Sequence, residues 1–419
     1  MNMAVFLFAT RLPNLYDNFV IKLICIVMRL PKFIYVVFLS VFPLFLLAQE
    51  ENNSAILKIL LKKNILTKAE IDSLTASEEK NDSIAKVYSN TISEVNSIPT
   101  PKNGILNNSN IEIGASAFLT ISFDDLNSSK SDATIRALFV HIKGKLHKNF
   151  HYFAMVDMKS AKLIDYYFGW SPNKSVNIQF GQQKIPISIE NQKSPSNLEF
   201  IYNTRSVVSL IGMGADVISL QNAQNNFGRD MGIKISGKLF SKNEYDLVEY
   251  GIGLFQGSGI NTSIDRSNKD FTGNIFIRPI KNLRLGSGLY FGEAVYKDED
   301  EQDQTLHIRN RWVLNGEYTS KKIYARAEYI KGKDGNINKI GIYGLVQWNL
   351  NEKWHIVNGV DHYNSNTSKN SEVTDYKTGL NYIFHENCRA QINYQYSDYS
   401  KNWGMLDRHS IVMQLQVVF

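Results

Sequence analysis

Arg309 and Arg311 stand two residues apart in the run Leu306-His307-Ile308-Arg309-Asn310-Arg311-Trp312-Val313-Leu314. On an extended chain such residues share a face, which sets their side chains about 6–7 Å apart along it. Two guanidinium groups that close repel unless an anion or a carboxylate lies between them, and the planar fork of arginine suits oxyanions. If Leu306, Ile308, Trp312 and Leu314 form the apolar face, His307 extends the basic row. The same phasing sends Arg278, Arg284, Arg326, Lys377, Arg389 and Arg408 to the polar side, against Glu112, Glu317, Glu328, Asp361 and Asp375. With Arg309 and Arg311 that makes eight fixed cations to five anions, an excess that favours anions by electrostatic focusing if the face lines a channel. Cross-strand ion pairs that hold a wet wall in shape are the competing account of each residue.

Other chemistries find little footing. No G-x-S-x-G, H-E-x-x-H or P-loop is present. The histidines (His141, His147, His151, His307, His355, His362, His385 and His409) are dispersed. The two cysteines are Cys25 and Cys388, with no metal or redox spacing. No cofactor is expected. An enzyme with a Ser/His pair on neighbouring strands, of lipase or protease type, stays open as an alternative.

Those residues need a wall to stand on, and the chain's end describes one. In Arg408–Phe419, Ile411, Met413, Leu415, Val417 and Phe419 fall on one side, with Ser410, Gln414 and Gln416 on the other. A strand of this length with one greasy and one wet face is what a membrane-spanning barrel requires. The terminal aromatic Phe419 fits a signal to the barrel assembly machinery. Period-two alternation begins at Ile111 and persists, with strands expected to start near residues 111, 133, 150, 161, 175, 228, 245, 271, 283, 306, 321, 339, 354, 374, 387 and 408. Sixteen is an even count, as an up-and-down transmembrane β-barrel with both ends on the periplasmic side demands. Short joints at 171–174, 279–282 and 351–353 alternate with longer polar ones at 125–132, 262–270, 297–304 and 365–371. A soluble secreted β-sheet binding protein is the rival; it would dissolve without detergent.

Composition agrees. The 419 residues are 43% hydrophobic with a mean hydropathy of −0.23, too low for a helical membrane bundle but ordinary for a barrel, where only alternate residues meet lipid. Met28-Arg29-Leu30-Pro31-Lys32, the apolar stretch Phe33 to Leu47 and a cleavage site after Ala48 read as an export signal, with residues 1–27 an upstream extension. A retained helical anchor is the alternative. Residues 1–48 hold four basic residues and one acidic; removing them from 46 and 40 leaves 42 and 39, a net charge of +3. That is no nucleic-acid signature. Residues 49–104 read as a polar periplasmic helical hairpin and linker, with Thr67-Lys68-Ala69-Glu70 spaced as a capping box.

The stretch from Gln182 to Phe227 is too long for an ordinary connection. It carries aliphatic residues such as Val207, Val208, Leu210 and Ile211, which would stay wet outside, so it is expected to fold into the lumen. Gly251/Gly253 and Gly286/Gly288 are read as small lumen-facing residues rather than a nucleotide loop.

Three ordered motifs then resemble the phosphate-selective porin O and P family. They are Phe180-Gly181-Gln182-Gln183-Lys184-Ile185-Pro186 running to Glu190-Asn191, then Glu199-Phe200-Ile201-Tyr202-Asn203-Thr204-Arg205-Ser206, then Gly228-Arg229-Asp230-Met231-Gly232. The resemblance implies a loop that constricts the lumen, a homotrimer in outer-membrane lipid, and passage of small anionic solutes, phosphate among them. Arg205 and Arg229 match motif positions; either is also explicable as structural. The expected pore-lining, anion-binding set is therefore Arg205, Arg229, Arg278, Arg284, His307, Arg309, Arg311, Arg326 and Arg389.

Overall fold

Alternation of apolar and polar residues forces each strand to show one face to oil and the other to water, and closing the sheet removes its edges. In the computed structural model the sixteen strands form a closed antiparallel barrel, each bonded to its sequence neighbours and β1 to β16. Residues 111–124, 131–214, 216–217, 227–242, 244–262, 268–296 and 305–419 are described. The export segment and the helical hairpin proposed from sequence lie outside them.

In order the strands are β1 (Ile111–Asp124), β2 (Asp132–His147), β3 (Phe150–Asp157), β4 (Lys162–Asn173), β5 (Val176–Lys184), β6 (Arg229–Lys242), β7 (Tyr245–Phe255) and β8 (Asp270–Ile280). There follow β9 (Leu283–Tyr296), β10 (Thr305–Thr319), β11 (Ile323–Asp334), β12 (Ile337–Asn349), β13 (Trp354–Asn366), β14 (Ser371–His385), β15 (Cys388–Tyr399) and β16 (Arg408–Val418). Closure is completed by Phe419, whose amide donates to Ala115 and whose carbonyl accepts from it, at 3.0 and 2.7 Å. Cys388 is buried, and its sulfur accepts from the Val418 amide.

The outer face is apolar. Leu119, Ile121 and Phe123 on β1, Leu285, Leu289 and Phe291 on β9, and Ile411, Met413 and Leu415 on β16 are all exposed, as a lipid-facing band requires. Aromatic pairs sit at two heights: Trp354 against Tyr382 near the short β12–β13 turn, and Tyr376, Tyr396 and His409 stacked nearer the other end. Among the described residues no helix is long and apolar enough to cross a membrane; the strands cross.

Strand β5 runs through Lys184, so the interruption begins at Ile185 rather than Gln182, and Ser171 to Asn173 belong to β4 rather than to a turn. Between β5 and β6 lie α1 (Ile189–Gln192), a 3-10 turn (Pro195–Asn197) and α2 (Arg205–Ile211). This segment sits inside the barrel: Ile187, Val207, Leu210 and Ile211 join one buried cluster with Val313, Ile330, Tyr343 and Val357 of the wall. The wall makes room for it. A Cβ on Gly288 would stand 2.7 Å from the Ile187 carbonyl oxygen, and one on Gly341 would stand 2.6 Å from Cβ of Ser206. A second patch groups Phe118, Phe139 and Met155 of β1–β3 with Ile260, from the joint after β7.

Candidate functional site

The loop is fixed to the wall by charge. At its start, Glu328 of β11 accepts from Ser188 Oγ at 3.0 Å and from the amides of Ile189 and Glu190 at 3.1 and 2.8 Å, capping the first turn of α1. Glu190 then takes Arg326 at 2.8 Å and, through its other oxygen, the amide and hydroxyl of Thr204 at 2.6 and 3.0 Å. Glu199 completes the knot with Arg326 at 2.9 Å and Lys193 at 2.7 Å. Burial opposes ionisation of Glu199, but Arg326 and Lys193 outweigh it and hold its carboxyl below the usual range.

Further along, Arg205 grips Asp375 of β14 in a two-pronged pair, at 2.9 and 3.0 Å. That pairing, worked against by burial, leaves its guanidinium even more firmly charged than usual. The amide of Arg205 and the hydroxyl of Ser206 both donate to Asp361 of β13. Beyond α2, Asp216 is wholly buried and receives both arginines of the β10 row: Arg309 directly, and Arg311 at 3.0 Å. Arg311 also forks onto Asp334 at 2.7 and 3.1 Å and donates to the Leu210 carbonyl at 2.6 Å. Arg309 lies over the Tyr290 ring at 4.3 Å.

The expected site residues can now be placed. Register puts Arg284, His307, Arg309, Arg311, Arg326 and Arg389 on the inner side, where parity sends them, while Arg278 falls in an irregularity between Ile277 and Ile280. Facing the lumen is not the same as lining an open channel. Arg309, Arg311, Arg326, Arg284 and Arg229 are nearly inaccessible, and each is ion-paired: Arg284 with Glu249 and Glu317, Arg229 with Asp165. Arg278 also pairs with Glu249, at 2.9 Å. His307 stacks against Tyr296 at 4.3 Å between centroids. The open basic row expected at β10 is therefore corrected: its cations are consumed by carboxylates. The charge ledger left out Asp165, Glu249 and Asp334 on the wall, and Glu190, Glu199 and Asp216 on the loop. The loop acids had a signal, three carboxylates in a stretch of mixed polar and aliphatic residues expected to be buried, and buried carboxylates require cations.

Arg389 is different, and so is Arg136, which sequence phasing passed over because it sits at a bulge where β2 loses register with β1. Arg136 donates to Gln414 Oε1 at 2.8 Å and lies over the rings of Phe118 and Tyr202. Arg389 donates to Gln416 Oε1 at 3.1 Å and to the Leu198 carbonyl at 2.7 Å. Neither makes an ion pair among the described residues. Both keep N–H groups that no carboxylate occupies, on either side of the Gln414–Gln416 row.

For the enzyme alternative, His355 and His362 bond Gln347 and Thr374, and His141 stacks on Phe153; none of these three pairs with a serine. Among the described residues no cluster of His, Cys, Asp and Glu suits a metal.

Residues 108–274 match the family model described as phosphate-selective porin O and P. No curated protein matches the chain. Among solved structures, an anion-selective porin from Comamonas acidovorans aligns with a TM-score of 0.57 at 10% identity, over 74% of this chain and 100% of that one. Salmonella typhi OmpF in complex with daunomycin aligns at 0.54 and 10% identity, over 75% and 100%. In-vitro folded OmpT, an outer membrane protein of Vibrio cholerae, aligns at 0.52 and 11% identity, over 76% and 100%. At such identities the likeness establishes the fold.

Proposed function

For a bacterial outer-membrane porin whose residues 108–274 carry the phosphate-selective porin O and P pattern, we propose a loop-narrowed pore for small solutes that prefers anions, inorganic phosphate among them. One observation carries the reading. The loop's acids are spent on Arg326, Lys193, Arg309 and Arg311, while Arg136 and Arg389 remain without carboxylates beside it. Guanidinium groups in contact with no carboxylate, set in a low-dielectric constriction, raise the local concentration of anions and lower that of cations. The channel reading is preferred over the enzyme because this charge pattern serves permeation. Trimeric assembly in outer-membrane lipid is part of the proposal, as is recognition of Phe419, whose side chain is exposed at the barrel's seam, by the assembly machinery.

The test is a reversal potential. With Arg136 and Arg389 both replaced by glutamine, the zero-current voltage in a KCl gradient should move toward cation selectivity, while the barrel still migrates faster unheated than boiled. An unchanged anion/cation permeability ratio in an assembled double variant would place selectivity elsewhere.

A further inference from the structure

Four neighbouring strands leave a cavity of about 290 Å³ on the inner wall, with Phe200 and Tyr202 of the loop at its base. Register makes its back wall a single cross-strand row: Lys377 opposite Gln395, Gln395 opposite Ser410, and Ser410 opposite Asp124. Ser122 lies in the next row toward the loop. The chemistry of the row is uneven. Asp124 is held by Arg408, so that pair cancels. Lys377 makes no hydrogen bond or ion pair among the described residues; Asp361 and Asp375 lie within its field, but the loop already occupies both. Gln395 lines the cavity and donates its amide nitrogen to Ser397. Tyr202 is 47% exposed, with Arg136 of β2 at 5.1 Å from its ring centroid.

An ammonium with no contacting partner, hydroxyls, an amide side chain and an exposed aromatic ring offer more than a small inorganic oxyanion can use, since it has few hydroxyls and no ring to stack. They suit a solute that carries an anionic group on a small hydroxylated ring. The volume agrees, since it stands at the small end of ligand sites, which start near about 300 Å³. We propose that this cavity is a recruiting subsite for phosphorylated or acidic monosaccharides: the anionic group sits on Lys377, the hydroxyls meet Gln395 and the serines, and the ring lies against Tyr202. The inference rests on the anion-channel reading and names its substrate class.

The experiment measures block of single-channel current by glucose 6-phosphate, inorganic phosphate and glucose, in the wild type and in Lys377→Gln and Tyr202→Ala variants. Glucose 6-phosphate should half-block at a concentration about tenfold below inorganic phosphate. Lys377→Gln should raise that concentration by about tenfold, the worth of one charged hydrogen bond. Tyr202→Ala should weaken the sugar phosphate alone, by roughly three- to tenfold. Equal block by glucose 6-phosphate and phosphate overturns the proposal, as does block by glucose at the same concentration as its phosphate, or a Tyr202→Ala effect shared by both anions. Reversal potentials on the same channels separate the two claims. An anion-selective pore that ignores the sugar ring defeats only the subsite, whereas a cation-selective pore defeats both. Should Lys377→Gln fail to assemble, the three solutes on the wild type decide.

Discussion

Two stretches of the inner wall carry arginines of the same facing and opposite circumstance. From β10 to β14 the guanidinium groups of Arg309, Arg311 and Arg326, and the carboxylates that meet Arg205 and Ser206, are all engaged with the loop. From β15 round to β2 the loop is met by amides and by arginines that make no ion pair: Gln391 donates to the Glu199 carbonyl, Gln416 to that of Ser196, and Arg389 to that of Leu198. A buried ion pair fixes position and register while cancelling its own field. An arginine held by glutamine and carbonyl keeps its field. The first stretch is where the loop is fastened, and the second is where charge is left over to act on a solute. Counting cations by the face they occupy therefore overstates selectivity; the partner decides.

The comparison breaks most visibly at Asp216. Its carboxylate serves Arg309 and Arg311 together, and Asp216→Asn leaves Arg309 buried with no carboxylate in contact. Removing one partner of such a buried pair costs about 3–5 kcal/mol. The segment after α2 should detach, and unit conductance should rise and become noisier in bilayer recordings, while the barrel still assembles. Conductance and noise equal to the wild type would mean that Asp216 does not hold the loop.

A steric version of the same test is smaller. Ser206 cannot retreat from β12, because its hydroxyl and amide are bound to Asp361. A methyl on Gly341 must then displace α2, at a cost of about 1–3 kcal/mol. Gly341→Ala should lower the temperature at which the folded electrophoretic band converts to the unfolded one. Gly344→Ala, whose added Cβ meets only Ala327 at 3.9 Å, is the control and should leave that temperature alone. Equal behaviour of the two would detach glycine placement from loop packing.

Much of this was legible in the sequence, and the limit has a physical form. Period two is a local signal, so the strand starts fall within three residues of expectation, the widest difference being Ser371 against Thr374. Facing follows from parity, which is why Arg284, Arg309, Arg311 and Arg326 point inward as read. Partners are not local. Asp216 meets Arg309 across 93 positions and Glu190 meets Arg326 across 136, and a loop has no period from which to infer either contact. Arg136 escaped because a bulge resets parity at the residue that matters. The sequence could state that the loop's acids needed cations, but not which ones.

The smallest effect expected is also a test of the fastened stretch. Glu199 holds its proton less tightly in the folded chain than a free glutamate does, because Arg326 and Lys193 favour its charge over the cost of burial. A depressed carboxyl contributes stability that is complete above the unfolded value, about 4.3. The contribution drains away as pH falls from there through the folded value. Acidification into that window should loosen Lys193 and the Pro195–Asn197 turn first, seen as rising current noise at constant salt. The effect stays small because Glu190 still holds Arg326 at 2.8 Å when Glu199 is protonated. Glu199→Gln should abolish the pH dependence of the noise and show its acid-side level at neutral pH. If the noise of the glutamine variant still rises on acidification as the wild type's does, the titrating group lies elsewhere, and Glu199 is no part of what fastens the loop.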